Sequence, residues 1–120
     1  MSSPTQRSLA HARKAGHYAQ VVERWVPMAR KRIDLCGCID LIVLTGSEII
    51  GVQACAGASH SARRTKALKD PQVAPRLALW LASGGRFSIH SWAKRGARGE
   101  RKLWTLREEE ITADDVKGAA

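Results

Sequence analysis

The sequence contains no long apolar run, and aromatic residues are scarce, with four Trp, one Tyr and one Phe in 120 residues. No stretch approaches the ~20 apolar residues of a membrane-spanning helix. The first residues, MSSPTQR, lack the apolar core of a signal peptide. We therefore expect an intracellular protein without a membrane anchor.

Cysteine is also scarce. The three cysteines, Cys36, Cys38 and Cys55, are an odd number, which fits a reducing compartment. Cys36 and Cys38 are too closely spaced for an ordinary zinc knuckle, and no histidine pair complements them. We interpret all three as small buried apolar residues.

Acidic residues are outnumbered, since 20 Lys and Arg face 11 Asp and Glu for a formal net charge of +9. Five of the acids lie in residues 108–120. Residues 1–107 therefore hold 19 basic and 6 acidic side chains, a net +13. A field of this size favours polyanions such as DNA, RNA or an anionic membrane. The alternative is a basic protein whose charge serves only solubility.

The hydrophobic pattern predicts one domain over residues 1–120 with the order helix, strand, hairpin, helix, strand, strand. Ser3-Pro4 opens the first helix and Gly16 ends it. The other predicted elements are a strand over 18–25, a basic linker over 30–32, a hairpin over 39–55, helices over 62–69 and from Val73, strands over 86–92 and 103–106, and a short helix or acidic tail over about 108–120. This is an α/β fold with a mixed sheet of about five strands, in which the helix from Val73 forms a crossover.

The predicted hairpin has two apolar runs, residues 39–44 and 48–55, joined by Thr45-Gly46-Ser47. If Leu44 pairs with Ile49, Asp40 lies across from Gln53. Cross-strand Cβ atoms are about 5 Å apart, which is close enough for two oxygen ligands on one divalent ion.

Two other readings of these residues stay open. A slip of one residue would turn Gln53 to the opposite face. In the second alternative, Asp40 caps a strand and Gln53 is an incidental polar residue without a role in metal binding. Buried polar groups need a partner, and a metal is only one candidate.

Five segments in this order carry a resemblance to a known family: ERW (23–25), RIDLCGCIDLI (32–42), GVQAC (51–55), SHSARRTK (59–66) and LASGGRFSI (81–89). With an acid early in the second strand and a polar residue late in the third, they resemble the PD-(D/E)xK nuclease superfamily, especially the small Holliday-junction-resolvase-like nucleases of phage and prophage type. The resemblance implies a restriction-endonuclease-like three-layer core and a Mg²⁺ or Mn²⁺ cofactor. It also implies a branched or duplex DNA substrate, a homodimer, and the cytoplasm of a bacterial or phage-infected cell.

The resemblance also implies roles for individual residues. Asp40 matches the metal-binding aspartate, Gln53 stands where the family has Asp or Glu, and Cys55 stands where it has Lys. Glutamine offers a carbonyl oxygen without negative charge, so we expect Glu23 to be a third metal ligand, with Asp34 as the other available acid.

Because Cys55 replaces the lysine, another cation must stabilise charge on the phosphate. Lys66 is the best substitute, although it could equally contact a phosphate or be a solvated surface residue. His60 is expected in a flexible loop near the site, as a general base, a phosphate contact or neither.

The predicted nucleic-acid contacts are basic side chains in three stretches. They are Arg30, Arg32, Arg63, Arg64, Lys66, Lys69, Lys94, Arg95, Arg98, Arg101 and Lys102. Among the tryptophans that could stack on bases, Trp92 and Trp104 border the basic loop and are favoured over Trp25, and Trp80 belongs to the apolar stripe of a helix.

The leading hypothesis is a metal-dependent DNA endonuclease that selects its substrate by structure. The alternative is a non-catalytic nucleic-acid-binding protein on a degenerate nuclease fold, which the departures at Gln53 and Cys55 motivate. An RNA-processing nuclease of the same fold is a third possibility, although the sequence has no RNA-specific module.

Overall fold

A five-stranded mixed sheet with helices on both faces forms the fold in the computed structural model, which describes residues 3–119. Residues 1, 2 and 120 of the predicted domain lie outside the described residues. The elements in chain order are α1 (Pro4–Lys14), β1 (Tyr18–Val21), β2 (Arg24–Val26), β3 (Lys31–Ile33), β4 (Leu41–Leu44), β5 (Ile49–Ala56), a 3₁₀ turn (Gly57–Ser59), α2 (His60–Lys69), α3 (Val73–Ala82), β6 (Arg86–Arg95), β7 (Leu103–Ile111) and α4 (Ala113–Ala119).

The strand order in the sheet is β1-β4-β5-β6-β7. All neighbours are antiparallel except β5 and β6, which are parallel and are joined through α2 and α3. The prediction of an α/β fold with about five strands and a crossover through the helix from Val73 is confirmed. Within residues 3–119, no helix is long and apolar enough to cross a membrane.

Helix α1 covers one face of the sheet. Ser3 caps it by accepting a hydrogen bond from the Gln6 N–H at 3.2 Å, as the Ser3-Pro4 pair predicts. Leu9 and Ala12 of α1 pack against Leu41 and Val52, which alternate with side chains on the other face.

Helices α2, α3 and α4 cover the opposite face, where Leu77, Phe87 and Ile89 are fully buried. Gly51 of β5 lets the buried Ile39 lie directly on the strand, since a Cβ at position 51 would approach Ile39 Cδ1 to 2.6 Å. This close packing holds the residue that precedes Asp40.

The single strand predicted over 18–25 is wrong, because the chain forms β1 and β2 with a break between them. At the break, the N–H groups of Val22 and Glu23 both donate to the Asp40 carbonyl oxygen, at 2.9 and 3.1 Å. Strand β2 then pairs with β3 in a separate two-stranded sheet. Residues 30–32, predicted as a linker, belong to this β2–β3 hairpin.

The prediction of an acidic tail from residue 108 is also wrong, because Glu108, Glu109 and Glu110 lie in β7. Glu110 accepts hydrogen bonds from Arg86 at 2.7 Å, and Glu109 accepts one from Arg64 at 2.8 Å. These acids are therefore paired with basic side chains, and only α4 follows the strand.

His90 of β6 is buried at the α1 face, where its Nδ1 lies 2.9 Å from Ser8 Oγ. Burial, with a contribution from His11, lowers the pKa of His90 to about 4, and the charge of Glu108 opposes this shift. The unfolded chain therefore binds a proton at a higher pH than the folded protein does. Stability that is complete above a pH of about 6.5 is lost as the pH falls towards 4.

We expect His90→Asn, which keeps a partner for Ser8, to reduce the acid sensitivity of folding. Between pH 7 and 4.5, the wild type should lose on the order of 2 kcal/mol more unfolding free energy than the variant. Urea unfolding at both pH values measures this difference, with His17→Asn as the control. Equal losses in the wild type and His90→Asn would contradict the assignment.

Candidate functional site

Asp40 lies where β1, β4 and β5 meet. Its carbonyl oxygen binds the N–H groups at the end of β1, and its own N–H donates to the Val52 carbonyl at 2.8 Å. Its side-chain Oδ2 accepts the Ala54 N–H at 3.0 Å. The backbone and the carboxylate of Asp40 thus bond to the residues on either side of Gln53, which fixes the carboxylate beside that side chain.

The predicted hairpin register is confirmed, because Leu44 pairs with Ile49 and the ladder continues to Leu41 and Val52. Asp40 precedes this ladder and has the strand parity of Ile42, which packs against the core under α2. Gln53 has the parity of Cys55 in the same core. Asp40 and Gln53 therefore face the same side of the sheet.

Gln53 is 4% exposed, and within residues 3–119 its Oε1 has no hydrogen-bond partner. A buried acceptor left unpaired costs about 1–3 kcal/mol, and native proteins retain few of them. A bound cation, or an N–H or O–H donor of a ligand, would satisfy this oxygen.

Two further acids, Glu23 and Asp34, act on the pKa of Asp40, and we call these three side chains the carboxylate cluster. Glu23 follows the break after β1, and its Oε1 accepts a hydrogen bond from Thr5 Oγ1 of α1 at 3.2 Å. Burial, together with the charges of Glu23 and Asp34, raises the pKa of Asp40 to about 7, and the hydrogen bond from the Ala54 N–H opposes this rise. Burial also raises the pKa of Asp34, which the Lys66 ammonium opposes. A bound cation would relieve this repulsion and displace the proton.

Helix α2 supplies the positive charge next to the acids. Lys66 lowers the pKa of Asp34 against the effect of its burial, and Arg63, three residues earlier on the same helical face, lowers the pKa of Cys55. Burial is the larger effect on Cys55 and raises its pKa, so this residue remains a neutral thiol. The cations whose charge acts on Asp34 and Cys55 therefore lie on α2.

His60 does not lie in a flexible loop, because it is the first residue of α2 and is 2% exposed. Its Nδ1 lies 2.7 Å from Ser91 Oγ and its Nε2 lies 2.8 Å from Glu109 Oε1. Both ring nitrogens are used to hold α2 against β6 and β7. This side chain is a structural link and not a free base beside Asp40.

No group of three or more His, Cys, Asp or Glu within the described part of the chain is arranged to hold a metal ion. The candidate ligands are the carboxylates of Asp40 and Glu23 with the Gln53 oxygen. This set of ligands therefore includes the neutral amide of Gln53, at the position where the resemblance implies Asp or Glu.

The predicted nucleic-acid contacts fall into three groups, on the β2–β3 hairpin, on α2 and around the tip of the β6–β7 hairpin. Arg64 is committed to Glu109, Arg32 Nη1 lies 3.7 Å from Glu23 Oε1, and Lys102 Nζ donates to the Gly96 carbonyl at 2.8 Å. The exposed members are Arg30, Arg32, Arg63, Lys69, Lys94, Arg95, Arg98, Arg101 and Lys102.

The tryptophans differ in their availability for stacking. Trp92 is partly buried, and its Nε1 donates to Ser8 Oγ at 2.9 Å. Trp104 is exposed, but the Arg7 guanidinium lies 3.4 Å from the centre of its ring. Trp25 is 54% exposed and no cation covers its ring within residues 3–119. The sequence favoured Trp92 over Trp25 as a base-stacking residue, but Trp25 is the more exposed of the two side chains.

No protein family, no curated protein and no solved structure matches the chain. What this site can do follows from its own geometry and chemistry.

We expect Gln53→Met to stabilise the metal-free protein, because it removes the unpaired oxygen and keeps the volume. The gain in unfolding free energy should be about 1 kcal/mol in the presence of EDTA. Added Mn²⁺ should stabilise the wild type more than it stabilises Gln53→Met, which keeps the two carboxylates and lacks the amide oxygen.

Gln53→Glu should have the opposite effect on Mn²⁺ binding. It adds a negative charge to the ligand set and should therefore strengthen Mn²⁺ binding. Urea unfolding with EDTA or Mn²⁺, together with a Mn²⁺ titration of each variant, measures both effects. If Mn²⁺ acts equally on all three proteins, Gln53 is not a ligand.

Proposed function

We propose that the protein is a metal-dependent DNA phosphodiesterase with a restriction-endonuclease-like fold of the PD-(D/E)xK superfamily. The observation that carries this proposal is the buried Oε1 of Gln53, which has no hydrogen-bond partner within residues 3–119 and belongs to the residue before Ala54, whose N–H binds the Asp40 carboxylate. The charges of α2 that border the acids support it, since a cation next to a carboxylate cluster suits a phosphate between them.

Asp40, Gln53 and Glu23 would hold the ion, and Asp34 is the next available acid. When bound, Mg²⁺ or Mn²⁺ lowers the pKa of a water molecule and neutralises charge on a phosphate. The hydrogen bond from the Ala54 N–H holds one carboxylate oxygen of Asp40, which leaves the other oxygen for the ion.

In hydrolysis, the oxygen of water forms a bond to phosphorus while the bond from phosphorus to one sugar oxygen breaks. That oxygen leaves with a proton, and negative charge accumulates on the remaining phosphate oxygens. The Lys66 ammonium is the group we assign to this charge, because it acts on the Asp34 carboxylate next to the proposed ligands. Arg63, exposed one turn earlier, would hold the flanking phosphate.

The net charge of +9 and the exposed basic groups on both hairpins suit a polyanionic strand. Contacts of this kind grip the backbone without reading bases. Branched DNA as the preferred substrate and a homodimer are finer parts of the proposal, since paired cuts at a junction need two sites related by a two-fold axis. Action in the cytoplasm of a bacterial or phage-infected cell belongs to the same proposal.

A non-catalytic DNA-binding protein is the second candidate function. Two observations favour it, namely the neutral side chains at Gln53 and Cys55 and the lack of a cluster of three acidic, histidine or cysteine ligands within residues 3–119. The same basic surfaces would then bind DNA without cutting it.

We expect Asp40→Asn to abolish metal-dependent cleavage and to keep or slightly tighten DNA binding, because the variant removes one negative charge facing the phosphate. The rate of nicking of supercoiled DNA in Mn²⁺ should fall about 100-fold or more. Asp114→Asn, an exposed carboxylate change on α4, is the matched control and should cut like the wild type. Full activity in Asp40→Asn would reject the site, and DNA binding without cleavage by the wild type would favour the second candidate.

Lys66→Ala should slow the chemical step, whereas Lys69→Ala on the exposed side of the same helix should affect binding alone. In single-turnover cleavage with saturating protein, we expect a loss of about 10-fold or more for Lys66→Ala. No loss is expected for Lys69→Ala under the same conditions. If both variants cleave at the wild-type rate once saturated, Lys66 is confined to binding.

A further inference from the structure

The β2–β3 hairpin is an exposed projection that carries large apolar side chains. Its two strands form a sheet of their own, separate from the five-stranded sheet. Met28 in its turn is 99% exposed, and Trp25 is 54% exposed. Because these two side chains bury little of their surface in the folded chain, they are available to a partner.

The hairpin is tied to the candidate site at both ends. It begins directly after Glu23 and ends directly before Asp34. Arg32, which pairs with Trp25 across the strands, lies 3.7 Å from Glu23. A molecule bound to the hairpin therefore lies next to any phosphate held at Asp40.

The charge of the hairpin points to a polyanion as the partner. Residues 24–33 contain four cations, Arg24, Arg30, Lys31 and Arg32, and no acid. Four cations without an acid in ten residues suit the regularly spaced phosphates of a nucleic acid, and the exposed indole and thioether between them suit its bases. Arg30 in the turn adopts a φ of 50°, a conformation that glycine would adopt at lower cost.

We propose that the β2–β3 hairpin recognises unpaired or unstacked bases in branched DNA. The position of the adjacent phosphate rests on the proposed function. Trp25 stacks on an exposed base, and Met28 acts as an apolar wedge against the neighbouring base step. Arg24 and Arg30 hold the flanking phosphates. Continuous duplex DNA keeps its base faces stacked, so it offers the hairpin only its backbone.

The test compares a forked DNA with unpaired arms and a duplex of the same nucleotide number, in Ca²⁺ so that binding is measured without turnover. Fluorescence anisotropy gives both affinities for the wild type, Trp25→Ala and Met28→Ala. We expect each variant to lose about fivefold or more in affinity for the fork and less than twofold for the duplex. Leu79→Ala, which removes an exposed leucine on α3, should change neither affinity.

A second readout uses 2-aminopurine at the branch. Its fluorescence should change on binding the wild type and much less on binding Trp25→Ala. Met28 is fully exposed, so Met28→Ala also tests the idea independently of folding. Equal losses on fork and duplex would overturn the proposal. Variants that keep the wild-type preference for the fork would also overturn it. If such variants dissociate a dimer in sedimentation, the hairpin joins two copies of the chain and does not bind bases.

The failure of this inference and that of the proposed function are distinguishable. If the wild type binds forks through Trp25 and Met28 but never cleaves in Mn²⁺, the hairpin assignment stands and the nuclease proposal fails. If the wild type cleaves and both variants keep their fork preference, the nuclease proposal stands and the hairpin assignment fails.

Discussion

The hydrogen bonds of Asp40 are the interaction on which the site depends. Its carbonyl oxygen accepts hydrogen bonds from two N–H groups at the end of β1. Its own N–H donates to the Val52 carbonyl of β5, and its carboxylate accepts the Ala54 N–H of the same strand. These bonds stop β1 at Val21 and direct the chain into the β2–β3 hairpin. They also bring Glu23 to the carboxylate and leave Gln53 between the two bonded residues of β5. One residue thus sets the strand break, the acid cluster and the position of the hairpin.

The site retains costs that a purely structural core would avoid. Asp40 is buried beside other acids, which raises its pKa to about 7, and Gln53 Oε1 is buried without a partner within residues 3–119. Within residues 3–119, Arg7 Nε is the one other buried side-chain polar atom without a partner, whereas the buried histidines are paired. His60 uses both ring nitrogens, and His90 bonds to Ser8. The contrast between a paired framework and an unpaired site is the pattern expected where a ligand completes the chemistry.

Helix α2 divides its positive charge between structure and site. Arg64 joins Glu109 of β7, which also binds His60 at the start of the helix. Lys66 and Arg63 act instead on Asp34 and Cys55. The first set holds the helix against β6 and β7, and this anchoring positions the second set next to the acids. A loss of the Glu109 contacts would therefore displace the candidate cation as well as weaken packing.

Local patterns in the sequence determined the hairpin and the helices. Thr45-Gly46-Ser47 between two apolar runs defined the Leu44–Ile49 register, because a slip would expose one apolar face. The helical spacing from Val73 located α3, and the five-stranded mixed sheet followed from the order of the elements. The candidate roles of Asp40, Gln53 and Lys66 depended on the resemblance to a nuclease superfamily, and these roles remain proposals.

The tertiary structure alone decided what depends on long-range partners. Glu108, Glu109 and Glu110 looked like part of a solvated tail, but pairing with β6 and with Arg64 and Arg86 makes them a strand. His60 followed a run of small residues typical of a loop, and its burial depends on Ser91, 31 residues away. The break after Val21 has no local signal, since it depends on an oxygen of Asp40. Local spacing and turn chemistry act within a few residues, whereas burial, ion pairing and an unpaired acceptor arise only when distant strands meet.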